Sequence, residues 1–224
     1  MIDGHEVCCG IYARTKKFLY EEMAKEDSKR LKEAGFQILM GPPHSDAPVL
    51  FVGYQPGKGC KTAAQEREYG SEDHYPEVCE YVTECWALAK CLRAIFDDFD
   101  ENLLRRSVGL NAIFVRADTV AAYDAGFTAP TRRKIKKFCI GCVLEIIEAV
   151  RPKKIVVIGF STLSLFREGA DWNEDIRGSK NQALTKTGQI ASRDAIAAMH
   201  LTGARISKAD REKIADRLRT FCIS

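Results

Sequence analysis

Four short apolar runs stand out along the chain: PVLFVG at 48–53, SVGLNAIFV at 107–115, KKIVVIGF at 153–160 and DAIAAMH at 194–200. Each is too short for an ordinary helix and carries little polar alternation, which predicts strands buried on both faces. Glycine or proline brackets the first and the third. Between the runs the apolar residues recur at helical spacing. Ile11, Phe18, Leu19, Met23 and Leu31 predict a helix over 11–35, stopped by Gly35. Val78, Val82, Trp86, Leu88 and Leu92 predict another over 76–96. A third spans 131–150, ahead of Pro152, and a last one starts near Ser207 with Ile214, Leu218 and Phe221 on its apolar stripe. The remainder reads as loop: Gly41-Pro42-Pro43, the polar stretch 58–76, a long connection over 116–131, and the segment containing WNEDIRGSKNQ.

Continuous apolar strands alternating with helices predict a mostly parallel sheet covered on both faces. Ligands of such sheets bind at the carboxyl ends of the strands. That singles out four places: 53–57, 111–116, 159–161 and 200–205.

Composition narrows the class. A chain of 224 residues fits one α/β domain over 1–224, with a helical extension at about 1–40. The net charge of +3 demands no polyanion partner, although a local basic patch is compatible with it. No apolar run is long enough to cross a membrane and the N-terminus carries no secretory pattern, so a cytoplasmic protein is expected; a monomer is expected as well. Nine cysteines then read as reduced thiols, buried or incidental. The one CxxC, Cys139 to Cys142, lacks a second close pair, and Cys79, Cys85 and Cys91 are spaced by six, which sends them to different faces of a helix. No metal site and no cofactor is expected.

The strand ends carry the candidate chemistry. In Gly53-Tyr54-Gln55-Pro56-Gly57 the glycines and proline fix a turn that can present backbone N–H groups and one amide to a ligand. The P-loop and GxGxxG spacings are both absent. Taken alone, the motif fits an ordinary strand-to-helix turn equally well. Asn111 sits within an apolar strand, where its amide must bond either to a neighbouring loop or to the edge of a planar heterocycle. His200 ends a strand, ahead of the Thr202-Gly203 turn and of Arg205, which could meet a phosphate. The basic run 132–137, with Arg132, Arg133 and Lys134, fits a solvated helix face or a set of phosphate contacts.

The ordered set VLFVGYQPG, GLNAIFV, RPKKIVVIGFS and MHLTGAR resembles the uracil-DNA glycosylase superfamily over about 47–206. The resemblance implies a three-layer α/β/α fold around a four-stranded parallel sheet. It also implies a DNA partner carrying uracil or another damaged base, which is flipped out before its glycosidic bond is cut. On this resemblance Gln55 orients the attacking water, Asn111 reads the polar edge of uracil, and His200 donates to the base O2. Gly53, Tyr54 and Pro56 lie against the sugar and base, and Tyr69, with Tyr75 in reserve, stacks on the base. Thr202, Gly203 and Arg205 belong to the wedge loop, and Ser161, Arg132, Arg133 and Lys134 to the DNA contacts.

The departures are specific. Many relatives carry Asp or Asn where Gln55 stands. Segment 130–137 lacks the histidine of a cross-linking branch, so no covalent link to DNA is expected. Cys139, thirteen residues before Pro152, resembles an iron–sulfur ligand, but Val115 occupies another ligand position and no cluster is expected. Leu201 and Thr202 replace a proline and a serine. Three competing readings remain: a base-selective binding protein without turnover, a glycosylase for hypoxanthine or mismatched thymine, and a small-molecule α/β enzyme.

Overall fold

The structure, a computed structural model, describes residues 4–57, 75–97, 100, 102–166, 171–202 and 206–223. Its centre is a mixed sheet of six strands in the order β2-β1-β3-β6-β5-β4. The strands are β1 Val49–Gly53, β2 Val108–Asn111, β3 Lys154–Ile158, β4 Asn173–Arg177, β5 Ala183–Ile190 and β6 Arg193–Ala198. The first three and β6 are the four apolar runs, and they pair in parallel. β4 and β5 add an antiparallel hairpin at one edge. The expected four-stranded parallel sheet is therefore corrected to a six-stranded mixed one.

The two extra strands come from the segment that reads as a polar loop. β4 is an edge strand and mostly exposed, so nothing required an apolar face there. The tight turn after it is closed by Gly178 N–H to Gln182 O at 2.8 Å, with Asn181 at φ 60°. A second turn, Ala191 and Ser192 at φ 48° and 58°, joins β5 to β6 without glycine at either position.

Alternate side chains of the parallel strands enter two cores. Leu50, Val52, Leu110, Ile155 and Val157 pack against α1 (Gly4–Lys17) and α7 (Ala129–Val150). Phe51, Val156, Ile158 and Ile196 pack against α4 (Ala87–Phe96) and α9 (Lys208–Ile223). Helices thus cover both faces of the sheet. The N-terminal helices belong to the first core: Ile11, Leu19 and Leu31 are fully buried in it.

Two predicted helices are broken. The stretch 11–35 divides into α1, a π-helical turn Phe18–Glu22 and α2 (Lys25–Ala34), because Met23 and Ala24 take extended backbone angles. The stretch 76–96 divides into α3 (Glu80–Thr83) and α4, with Glu84 and Trp86 extended. The expected loop 116–131 contains α6 (Val120–Gly126), whose first turn is capped by the Thr119 hydroxyl accepting from Ala122 N–H. Short helices α5 (Leu103–Arg106) and α8 (Phe160–Leu163) complete the set. No helix among the described residues is long and apolar enough to cross a membrane.

Candidate active site

β1 has β2 on one side and β3 on the other, so the chain turns in opposite directions on either side of it. Such a switch point leaves a crevice beyond the carboxyl ends of the strands. A cavity of about 400 Å³ lies there, within the ~300–1,000 Å³ typical of small-molecule sites. Gly53, Tyr54, Gln55, Pro56, Asn111, Ser161, His200 and Thr202 all line it. Elements far apart in sequence supply them, and the parallel register brings them level: Gly53 pairs with Asn111 at the ends of β1 and β2.

Backbone hydrogen bonds hold the first two loops together. Ala112 N–H donates to Gly53 O at 2.8 Å, Ile113 N–H to Tyr54 O at 2.8 Å, and Ala117 N–H to Pro56 O at 3.1 Å. The Gln55 amide adds to this, Nε2 donating to Ala117 O at 3.1 Å. Its Oε1 is buried and has no partner among the described residues. Gln55 is thus held by one end and keeps an acceptor at the cavity wall.

Asn111 is 1 % exposed, and neither its Oδ1 nor its Nδ2 has a partner among the described residues. A buried unpaired polar group costs about 1–3 kcal/mol. Gly53 makes room for this amide: a Cβ there would lie 3.2 Å from Asn111 Oδ1. Beneath it the Tyr81 ring covers Gly109, where a Cβ would meet the ring carbon Cε2 at 2.8 Å. The Tyr81 hydroxyl is also buried without a partner among the described residues, so with Gln55 Oε1 four unpaired polar atoms of three side chains belong to one cavity.

The imidazole of His200 is fixed by its own loop. Thr202 N–H lies 3.4 Å from Nδ1 and the Thr202 hydroxyl 2.9 Å from it. A backbone N–H can only donate, so Nδ1 is the acceptor and Nε2 carries the proton of the neutral ring. Desolvation among the cavity walls lowers the His200 pKa below its ordinary value, although part of the residue remains open to solvent, and this favours the neutral form.

The remaining expected contacts divide. Arg132 is turned inward: it donates to Phe127 O at 2.8 Å and to Asp124 O, and pairs with the Asp124 carboxylate at 3.4 Å. Arg133 lines a second depression, described below, whereas exposed Lys134 lines neither hollow. The hydroxyl of Tyr75, the reserve stacking residue, bonds His5 and its ring meets the His5 ring edge-on, and Tyr75 is not among the residues lining the cavity. Tyr69, Gly203 and Arg205 lie outside the described residues.

Tyr81 and Trp86 are the cavity aromatics that sequence reasoning missed. Both fall inside the predicted 76–96 helix, and no glycine or proline marks its break at 84–86. Gln37 and Met40 arrive from the segment running beside β2, through bridges Phe36–Val115 and Leu39–Leu110. Among the described residues no group of three His, Cys, Asp or Glu side chains could hold a metal ion. Cys139 and Cys142 are buried in α7, and burial raises both thiols, that of Cys142 to about 11. No family model and no curated protein sequence matches the chain.

Proposed function

We propose that this protein is a DNA glycosylase that removes uracil, and the observation that carries the reading is the Asn111 amide, buried with both polar atoms unpaired at a strand-end cavity. Uracil presents an N3–H donor beside an O4 acceptor. Asn111 Oδ1 accepts from the first and Nδ2 donates to the second. Cytosine presents an acceptor and a donor at those positions, so the same amide orientation opposes it.

The rest of the cavity suits the chemistry. As the C1′–N1 bond breaks, its electron pair moves onto the base, and His200 Nε2–H donates to the charge growing on O2. A neutral imidazole suffices, and the Thr202 contacts keep the proton on the useful nitrogen. Gln55 Oε1 accepts from a water that adds to C1′ and gives its proton to solvent. Tyr81 and Trp86 supply aromatic faces for a flipped base, and Tyr54 stands beside the loop.

Gln55 favours a second reading, a base-selective binding protein, because an amide cannot take a proton from the water. Labelled oligonucleotides with one uracil, single-stranded or paired with A or G, separate the two. Alkali-sensitive abasic product, lost in Gln55→Ala, supports the enzyme. Uracil-dependent retention without product supports the binding protein. The absence of both product and retention directs the search to hypoxanthine or mismatched thymine, and then to a small-molecule substrate.

A further inference from the structure

A second depression, about 350 Å³, shares Tyr54 with the candidate active site. Its other walls include Tyr123, Asp124, Arg132, Arg133 and Lys136. Asp124 and Arg132 neutralise each other as an ion pair. Arg133 and Lys136, three residues apart and so on one face of α7, make no ion pair among the described residues. Ala129, the first residue of that 22-residue helix, also lines the depression, which puts the positive end of the helix dipole there.

A helix end and two cations are common on protein surfaces. The distinguishing feature is Tyr123. It is 3 % exposed, lines the depression, and its hydroxyl has no hydrogen-bond partner among the described residues. Burial keeps the phenol protonated, so it is a donor in search of an acceptor. Two cations, a helix N-terminus and a buried O–H donor together match an oxyanion with several acceptor oxygens.

We propose that this depression is a phosphate subsite, and that it takes a phosphodiester of the strand whose base enters the neighbouring cavity. The second clause rests on the glycosylase reading. Because Tyr54 belongs to both hollows, the phosphate held here lies close in sequence to the flipped nucleotide. Such a contact positions the strand and reads no base.

Titration with inorganic phosphate at constant ionic strength, followed by amide NMR shifts, tests the first clause without DNA. Saturable shifts at Tyr123, Arg133 and Lys136 are expected, absent in the R133Q/K136Q double variant and weakened several-fold in Tyr123→Phe. The Tyr123→Phe protein should melt no lower than the wild type, because only an unpaired hydroxyl is lost. No saturable shift in the wild type, or equal shifts in all three proteins, would overturn the subsite.

Uracil oligonucleotides with one neutral methylphosphonate, placed in turn at each phosphate near the uracil, test the second clause. One position should cost the wild type about tenfold in affinity and cost the double variant nothing, and the double variant's salt slope should fall by about one to two. If phosphate titrates but no position couples to the variant, the DNA clause is overturned and the site takes a free phosphate monoester. If phosphate titrates while uracil DNA is neither bound nor cut, the glycosylase reading fails and the subsite stands.

Discussion

Asn111 and Asp210 are both 1 % exposed, and the protein treats them in opposite ways. The Asp210 carboxylate is surrounded by donors. Ser179 N–H reaches it at 3.0 Å, the Ser179 hydroxyl at 3.2 Å and the Gln182 amide at 3.1 Å. These tie the β4–β5 turn to the first turn of α9, where Ser207 Oγ also accepts from Asp210 N–H. Asn111 has no side-chain partner among the described residues. A buried polar group that is fully satisfied builds structure. One left unsatisfied, at the switch point among the parallel strands, costs stability and is a candidate place for a ligand to complete the bonding.

The largest expected effect lies on the Asn111 side of this contrast. His200→Ala should lower single-turnover cleavage of uracil DNA about 10²–10³-fold, as loss of a donor to a developing anion does elsewhere, with little change in DNA affinity. Full turnover in that variant would remove His200 from the mechanism. Next, Asn111→Leu should cut discrimination between uracil and cytosine about 10–100-fold. Its stability should hold or rise by about 1 kcal/mol, since an unpaired buried amide is removed. A sharp loss of stability there would show Asn111 to be structural and would erase the contrast.

Asp210→Ala should do the reverse, lowering the melting temperature by roughly 5–10 °C while turnover per folded molecule stays unchanged. The smallest substitution is Gly53→Ala. Its Cβ would sit 3.2 Å from Asn111 Oδ1, so the amide must move by a few tenths of an ångström. Selectivity should fall several-fold with no change in melting temperature.

The pH dependences separate the two regions as well. For Asp210, burial acts upward, but the bonds from Ser179, Ser207 and Gln182 outweigh it and hold the pKa below its ordinary 3.8. A carboxyl lowered by folding contributes stability that is present above 3.8 and lost as pH falls through the folded value. Acid melting curves of wild type and Asp210→Asn should therefore diverge above 3.8 and converge below it. The His200 pKa is lowered from 6.5 by desolvation. The folded state binds this proton less readily than the unfolded chain, so its neutral form persists below 6.5. The acid limb of cleavage should lie below 6.5 and vanish from the residual activity of His200→Ala.

Much of the candidate site was legible because its residues sit at strand ends. A run such as VLFVG has no polar side chain to explain, so the first polar residue after it stands out. Gln55 and His200 follow their strands, and Asn111 ends its own. The aromatic wall was hidden. Trp86 fits the apolar stripe of one long helix, and only the extended backbone at 84–86 turns it to the cavity. The hairpin was hidden for the opposite reason. β4 is an exposed edge strand, so its sequence carries no burial pattern to read.

The sequence by itself determined the four buried strands and their helical cover, because continuous apolar runs of that length have few other stable arrangements. It also determined which polar residues lie at strand ends, since that depends only on local order. Tertiary structure alone decided the strand order, the added hairpin and the closeness of Tyr123 to Arg133 and Lys136. It also decided which buried polar groups find partners. Asp210 is satisfied by residues 28 and 31 positions away, and no local pattern announces a bond across that distance. Asn111 lacks such a neighbour for the same reason: hydrogen bonding of a buried side chain is a property of packing, not of sequence spacing.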